Sequence, residues 1–331
     1  MDTRNCIAEL VSYAPPLTTG NSRKALLAFH PGAFMFKSVS RHVCAFDLEW
    51  VPDPQAGRRV YDLPDSLSDA EVFQVMWEKG GASEDKPRPY LKTVLCRVVS
   101  VSAVIREQAP NGEVNLRLTA LPKDADQAMP ERELIDKFLG YVGKYKPQLV
   151  GFNSHTSDLP ILLQRGIAAG ISAGLFCQRP DKPWEGTDYF ARATEAHVDL
   201  KNILSGWGIG TPSLHELAAV LAVPGKMGTD GSTVVDLWVD GDIRRIVEYN
   251  HFDALTTYLV WLRTAMFAGF FSSAQYRVEE DRVRDLITDK IAAGEHHLSC
   301  YLDKWNRFQA QVADHVAIHF PTQTSAVETA A

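Results

Sequence analysis

The alternation of apolar and polar positions along VCAFDLEWV predicts a β-strand over residues 43–50, and Val43, Ala45 and Phe46 make it apolar enough to be central in its sheet. Two further strand-like runs, 93–106 and 113–121, flank APNG, where Asn111-Gly112 signals a hairpin. With the first strand they predict a three-stranded antiparallel unit. A helix over 131–144, a strand over 148–152 and a helix over 158–169 add a βα segment, and HVDL supplies a further strand. Helices are expected over 68–79, near 200–206 and over 213–222. From Asp242 to Gly269, Ile243, Ile246, Val247, Leu255, Leu259 and Leu262 recur at the spacing of a long amphipathic helix. A terminal helix is expected over 277–312.

This order predicts an α/β fold, a mixed β-sheet flanked by helices over residues 41–270, with extensions at 1–40 and 271–331. The first extension is broken by Pro15, Pro16 and Gly20, and residues 25–37 are expected to cover an edge of the core. EKGGASEDKPRPY, 78–90, reads as a mobile surface insertion, and the final PTQTSAVETAA as a disordered tail.

Chemistry enters through acids placed where acids are costly. Asp47 and Glu49 are two apart on the first predicted strand and project from one face of an otherwise apolar element. A divalent cation between them is the simplest compensation. Tyr249 and Asp253 are i and i+4 on the long helix, so a carboxylate and a phenol lie one turn apart on one side. Asp158 follows the strand LVGFN and opens a helix, where an acid is also stabilised simply by the helix dipole, with Asn153 and Ser154 as turn formers.

The order and context of Asp47, Glu49, Asp158, Tyr249 and Asp253 resemble the DEDD (DnaQ-like, ribonuclease H-like) 3′-5′ exonuclease superfamily. Its motifs are Asp-x-Glu on the first strand, an Asn-containing turn leading to Asp, and Tyr-x-x-x-Asp on a late helix. The match is closest to stand-alone exonucleases related to the proofreading domain of family B DNA polymerases. It runs from about residue 43 to 265 through FDLEWVPD, LVGFNSHTSDLPIL, HVDLKNILSGWG and SLHELAAVLAVPGKMGTDGSTV. Two departures stand out: Ser157 replaces an aromatic before the second-motif Asp, and YNHFD replaces a more usual Tyr-Cys-Glu-Thr-Asp. The histidine branch places a general-base His where this chain has Glu248, so the tyrosine branch fits better. His251 is turned to another side of the helix and reads as a surface or supporting histidine.

The resemblance implies a ribonuclease H-like sheet and hydrolysis at 3′ ends with two metal ions about 3.5–4 Å apart. Oxygen ligands favour Mg²⁺ or Mn²⁺ over Zn²⁺. It assigns Asp47 to both ions, Glu49 and Asp253 to the ion that activates water, and Asp158 to the second. Tyr249, with an ordinary pKa near 10, stays protonated and orients the water. The implied substrate is a single-stranded 3′ end, DNA favoured over RNA, with nucleoside 5′-monophosphates released. Trimming of RNA 3′ ends, as by ribonuclease D, uses the same five residues and stays open. So do a non-catalytic nucleic-acid-binding subunit that keeps the fold, and a set of structural acids sharing no cleft.

Substrate contacts are expected from Leu48 and Trp50 beside the acids, from Phe152 and Asn153, and from Lys226, with Trp207 as a further stacking surface. VPGKMGTDGST lacks the Gly-x-x-x-x-Gly-Lys-Ser/Thr spacing of a phosphate loop, so Lys226 is expected to touch a nucleic-acid backbone at most. A net charge of −7 excludes a broad basic face that coats duplex DNA, while a narrow cleft for a single strand stays compatible. Five scattered cysteines without CxxC pairing suit a reducing compartment, and no basic start with an apolar core or bilayer-spanning stretch is seen, so a cytoplasmic protein with no membrane partner is expected.

Overall fold

The computed structural model describes residues 37–319, apart from 183–184, 192–193, 206–209, 229–230 and 232, with side chains through residue 312. The readings of residues 1–36, of Trp207 and of the final tail lie outside the described residues.

Five strands form the sheet: β1 (His42–Pro52), β2 (Cys96–Gln108), β3 (Val114–Leu121), β4 (Gln148–Gly151) and β5 (His197–Asp199). Their order is β3-β2-β1-β4-β5. β1–β2 and β2–β3 pair antiparallel, β1–β4 and β4–β5 parallel. The helices are α1 (Pro54–Tyr61), α2 (Asp69–Lys79), α3 (Glu131–Tyr145), α4 (Asp158–Ala168), α5 (Gly174–Cys177), α6 (Leu200–Leu204), α7 (Leu214–Val220), α8 (Val234–Val239), α9 (Ile243–Phe267), α10 (Ser273–Ala292) and α11 (Leu298–His319). This is the ribonuclease H-like arrangement that the sequence predicts.

Local chemistry explains several element ends. Ser68 with Glu71 caps α2 reciprocally, Ser272 with Gln275 does the same for α10, and Asp242 caps α9. The hairpin at Asn111-Gly112 is present, but its turn spans Ala109 to Gly112. Gly112 donates to the Ala109 carbonyl at 2.9 Å and adopts φ +89°.

Five elements depart from expectation, among them α5 and α8, short helices that the sequence pattern does not predict. Residues 93–95 are a 3₁₀ turn rather than the start of β2. The terminal helix is two helices, because Gly294 adopts φ +105° after α10 and the chain reverses before Leu298. Helix α1, opened by Asp53 as cap and Pro54 at its first position, was not anticipated.

β1 is the central strand and its alternation separates two cores. Val43 and Ala45 pack with Leu255, Tyr258 and Leu259 of α9 and with Tyr276, Tyr301 and Trp305 of the C-terminal helices. Cys44, Phe46 and Leu48 pack with Leu134 and Phe138 of α3 and with Ile161 and Leu162 of α4. The C-terminal helices are thus part of the core: Trp305 of α11 is fully buried in the same cluster as Trp261 of α9, and truncating either to Ala costs about 3–5 kcal/mol. A buried ion pair, Arg106 Nη2 to Glu279 Oε1 at 2.8 Å, also joins β2 to α10. No helix of the described residues is long and apolar enough to cross a membrane.

Candidate active site

The site begins where β1 outruns its parallel neighbour. β4 pairs only with Val43–Ala45, so Asp47 and Glu49 lie beyond its end, while β2 still pairs with them through Ser102 and Ser100. The pairing shifts register immediately after Glu49, a bulge of the sort that re-aims side chains beside active sites. α9 crosses the same face of the sheet. One carboxylate oxygen each from Asp47, Glu49 and Asp253 then falls within 4.8 Å of the others. Tyr249, one turn before Asp253, donates its hydroxyl to the Asp253 carboxylate.

Asp158 arrives from the other side of β1, at the first residue of α4. Its carboxylate accepts from Ser157 Oγ at 2.8 Å and from the backbone N–H of Leu48, between the two β1 acids. The preceding turn is built for this. The Asp199 carboxylate accepts from the backbone N–H of Asn153 and of His155, both at 2.9 Å, and Asn153 takes the left-handed φ of +65° that Asn tolerates. A Cβ on Gly151 would meet Ser154 Cβ and Oγ at 2.4 Å, so only glycine lets β4 turn here. Arg165, two turns along α4, holds Asp53 at the end of β1 and Glu131 of α3, each at 2.6 Å, locking α4 against the strand.

Burial and mutual repulsion govern the electrostatics. Desolvation first, then Asp253, Glu49 and Asp158, hold the Asp47 carboxyl well above its ordinary range, and Glu49 is raised likewise by burial and by Asp253 and Asp158. Burial pushes Asp158 up to about 7 and Asp253 to about 6. Opposing this, Lys226 favours the Asp253 carboxylate, and Asn250 Nδ2 donates to Asp47 Oδ2 at 2.7 Å. Burial and the neighbouring acids push the Tyr249 phenol far above its usual value, so it stays protonated. Four desolvated carboxyls close to one another, with no sulfur or imidazole among the donors, form a set that fits hard divalent cations and is otherwise strained toward protonation.

The five predicted site residues therefore converge. The expected contacts divide. Leu48 faces the core: it is 2% exposed and packs with Phe46, because the alternation that turns Asp47 and Glu49 one way turns Leu48 the other. Trp50 is partly buried beside that core and lines a cavity of about 250 Å³ with Trp77, Lys86, Arg88 and Tyr90. The insertion over 78–90 is thus tied down here, Arg88 pairing with Asp236 at 2.8 Å. Phe152 packs against the α9 core and Asn153 organises the turn, its Oδ1 accepting from Lys201 at 3.0 Å. Lys226 lies close enough to act on Asp253. His251 is no surface residue: it is 4% exposed, against the turn between α10 and α11. Sequence reasoning missed Asn250, Asp199 and Arg165. Asp199 alone carried a signal, as an acid capping α6.

A ribonuclease H-like sheet with clustered acids at the end of its central strand defines a nuclease-type hydrolase site. Residues 88–305 match the family described as predicted 3′-5′ exonucleases related to the exonuclease domain of PolB, and the chain belongs to that family. The matched span holds Asp158, Tyr249 and Asp253, while Asp47 and Glu49 precede it and join them through the fold. A search of curated proteins finds no match to the chain.

Proposed function

We propose that this protein removes nucleoside 5′-monophosphates from 3′ ends of single-stranded DNA, using a pair of Mg²⁺ or Mn²⁺ ions. The observation that carries this reading is the approach of the Asp47, Glu49 and Asp253 carboxylates to within 4.8 Å, with Asp158 and Tyr249 hydrogen-bonded beside them. Asp47 would serve both ions, Glu49 and Asp253 the one nearer the attacking water, and Asp158 the other. When bound, the ions supply charge for the leaving 3′ oxygen and lower the pKa of water.

The protein's own part is positioning. Tyr249 stays protonated, aims Asp253 and offers its oxygen to the nucleophilic water. Asn250 holds Asp47 in its rotamer from α9. Lys226 adds the positive charge that a scissile phosphate needs, and Trp50 and Phe152 offer partly buried aromatic surface for unpaired bases. A reducing, cytoplasmic setting belongs to the same proposal, with Cys44, Cys96, Cys177 and Cys300 all free thiols.

The test is a parallel digest of 3′-extended DNA and RNA oligomers by wild type and by Asp47→Ala/Glu49→Ala, with Mg²⁺, Mn²⁺ or EDTA. Metal-dependent mononucleotide release from DNA by wild type alone is expected. Preferential digestion of RNA would move the substrate to the ribonuclease D-like reading, and absence of product from both would leave a non-catalytic nucleic-acid-binding subunit.

A further inference from the structure

The helix that carries Tyr249 and Asp253 presents a second donor set on another side. His251 Nδ1 lies 3.1 Å from Nε2 of His297, the two rings stacked with centroids 5.2 Å apart. Glu295 Oε2 is 3.9 Å from His251 Nδ1 and 3.8 Å from His297 Nδ1. One donor atom from each of these three residues falls within 4.8 Å of the others. Glu248, three residues before His251 and so on the same side of α9, brings Oε1 to 3.8 Å from His297 Nδ1. All four residues line a cavity of about 600 Å³, which leaves room for an incoming ion and its waters.

Geometry and donor chemistry both favour a transition metal. Two nitrogens bound to a tetrahedral zinc ion at about 2.0–2.1 Å stand about 3.3 Å apart, close to the separation already present. Lys290 engages Glu295 through Oε1, at 3.4 Å, which leaves Oε2 turned toward the histidines. Nitrogen donors select Zn²⁺ or Co²⁺ over Mg²⁺, unlike the all-oxygen set around Asp47.

We propose that His251, His297 and Glu295 form a zinc-class metal site, separate from the catalytic cleft, that pins the turn between α10 and α11 onto α9. Glu248, with Oε1 3.8 Å from His297 Nδ1, adds a further negative charge beside that ring. The ion would brace the helix that positions Tyr249 and Asp253, from the side the substrate does not use.

The test uses the full chain with Asp47→Ala/Glu49→Ala, so that the catalytic cleft does not contribute. After chelator treatment it is titrated with Co²⁺, followed by visible ligand-field absorption, metal analysis and thermal melting. One equivalent of Co²⁺ with a nitrogen-ligand spectrum and a raised melting temperature is expected, displaceable by Zn²⁺. Adding His297→Gln should weaken binding by at least about 100-fold and abolish the spectrum. If that variant does not fold, Glu295→Gln, at a partly exposed turn position, is held to the same criterion. No stoichiometric Co²⁺ binding in the parent, or equal binding in the folded variant, overturns the proposal.

Discussion

Asn250 donates to the Asp47 carboxylate at 2.7 Å across 203 residues of sequence, while its own Oδ1 accepts from Ser100 at 3.0 Å. A fully buried amide thus links α9, β1 and β2 at the one point where all three meet the acids. The same residue sits between Tyr249 and His251 in YNHFD, so one helical turn carries the phenol, the amide and the imidazole to three different neighbours.

Replacing Asn250 with Leu keeps approximate volume and removes the donor. Activity should fall about 10- to 100-fold, as for other groups that orient metal ligands, with a higher metal concentration for half-maximal rate. Initial rates across a Mn²⁺ series measure this. An unchanged metal dependence would show that Asp47 needs no such support.

Tyr249→Phe should slow turnover by roughly 10²-fold while leaving the stabilisation by Mg²⁺ or Mn²⁺ intact. Single-turnover rates and melting temperatures with and without metal separate the two effects. A loss of metal response would instead make the phenol a structural requirement for Asp253.

In metal-free protein the raised pKa of Asp158 sets a pH dependence. Its folded-state proton is held to about pH 7, while the unfolded chain releases it near pH 4, so this residue lowers stability progressively as pH rises through that window. His197 and His251, held neutral by burial and each lowered to about 3, act in the opposite sense. The quantity to measure is therefore a difference. The melting temperature of Asp158→Asn minus that of wild type, in EDTA, should grow from pH 4 to 7 and then level. A difference independent of pH contradicts the assignment.

Arg165→Met removes one guanidinium from two carboxylates that are each about a tenth exposed. Leaving Asp53 and Glu131 unpaired should destabilise by about 3 kcal/mol, readable by urea denaturation. Activity of the remaining folded protein should also fall, because α4 carries Asp158 at its first residue. Full activity at native stability would mean that Arg165 plays no part in holding α4.

What the chain alone determined is whatever depends on neighbours in sequence. Strand alternation placed Asp47 and Glu49 on one face, the i, i+4 spacing placed Tyr249 with Asp253, and the Asn-bearing turn delivered Asp158 to the start of α4. These periods are properties of a single strand or helix, so they are legible without any partner. The resemblance to DEDD exonucleases then supplied the ordering of the three segments.

What only the tertiary structure decided rests on pairing at long range. Nothing local in YNHFD states that Asn250 meets Asp47, or that His251 meets His297 across a turn whose break at Gly294 was itself hidden in a helical pattern. Leu48 shows the same limit from within a strand: its position beside the acids is local, but which face meets the core depends on where α3 and α4 pack. Burial is a property of the assembled layers, and it is burial that raises the proton affinity of four otherwise ordinary carboxylates.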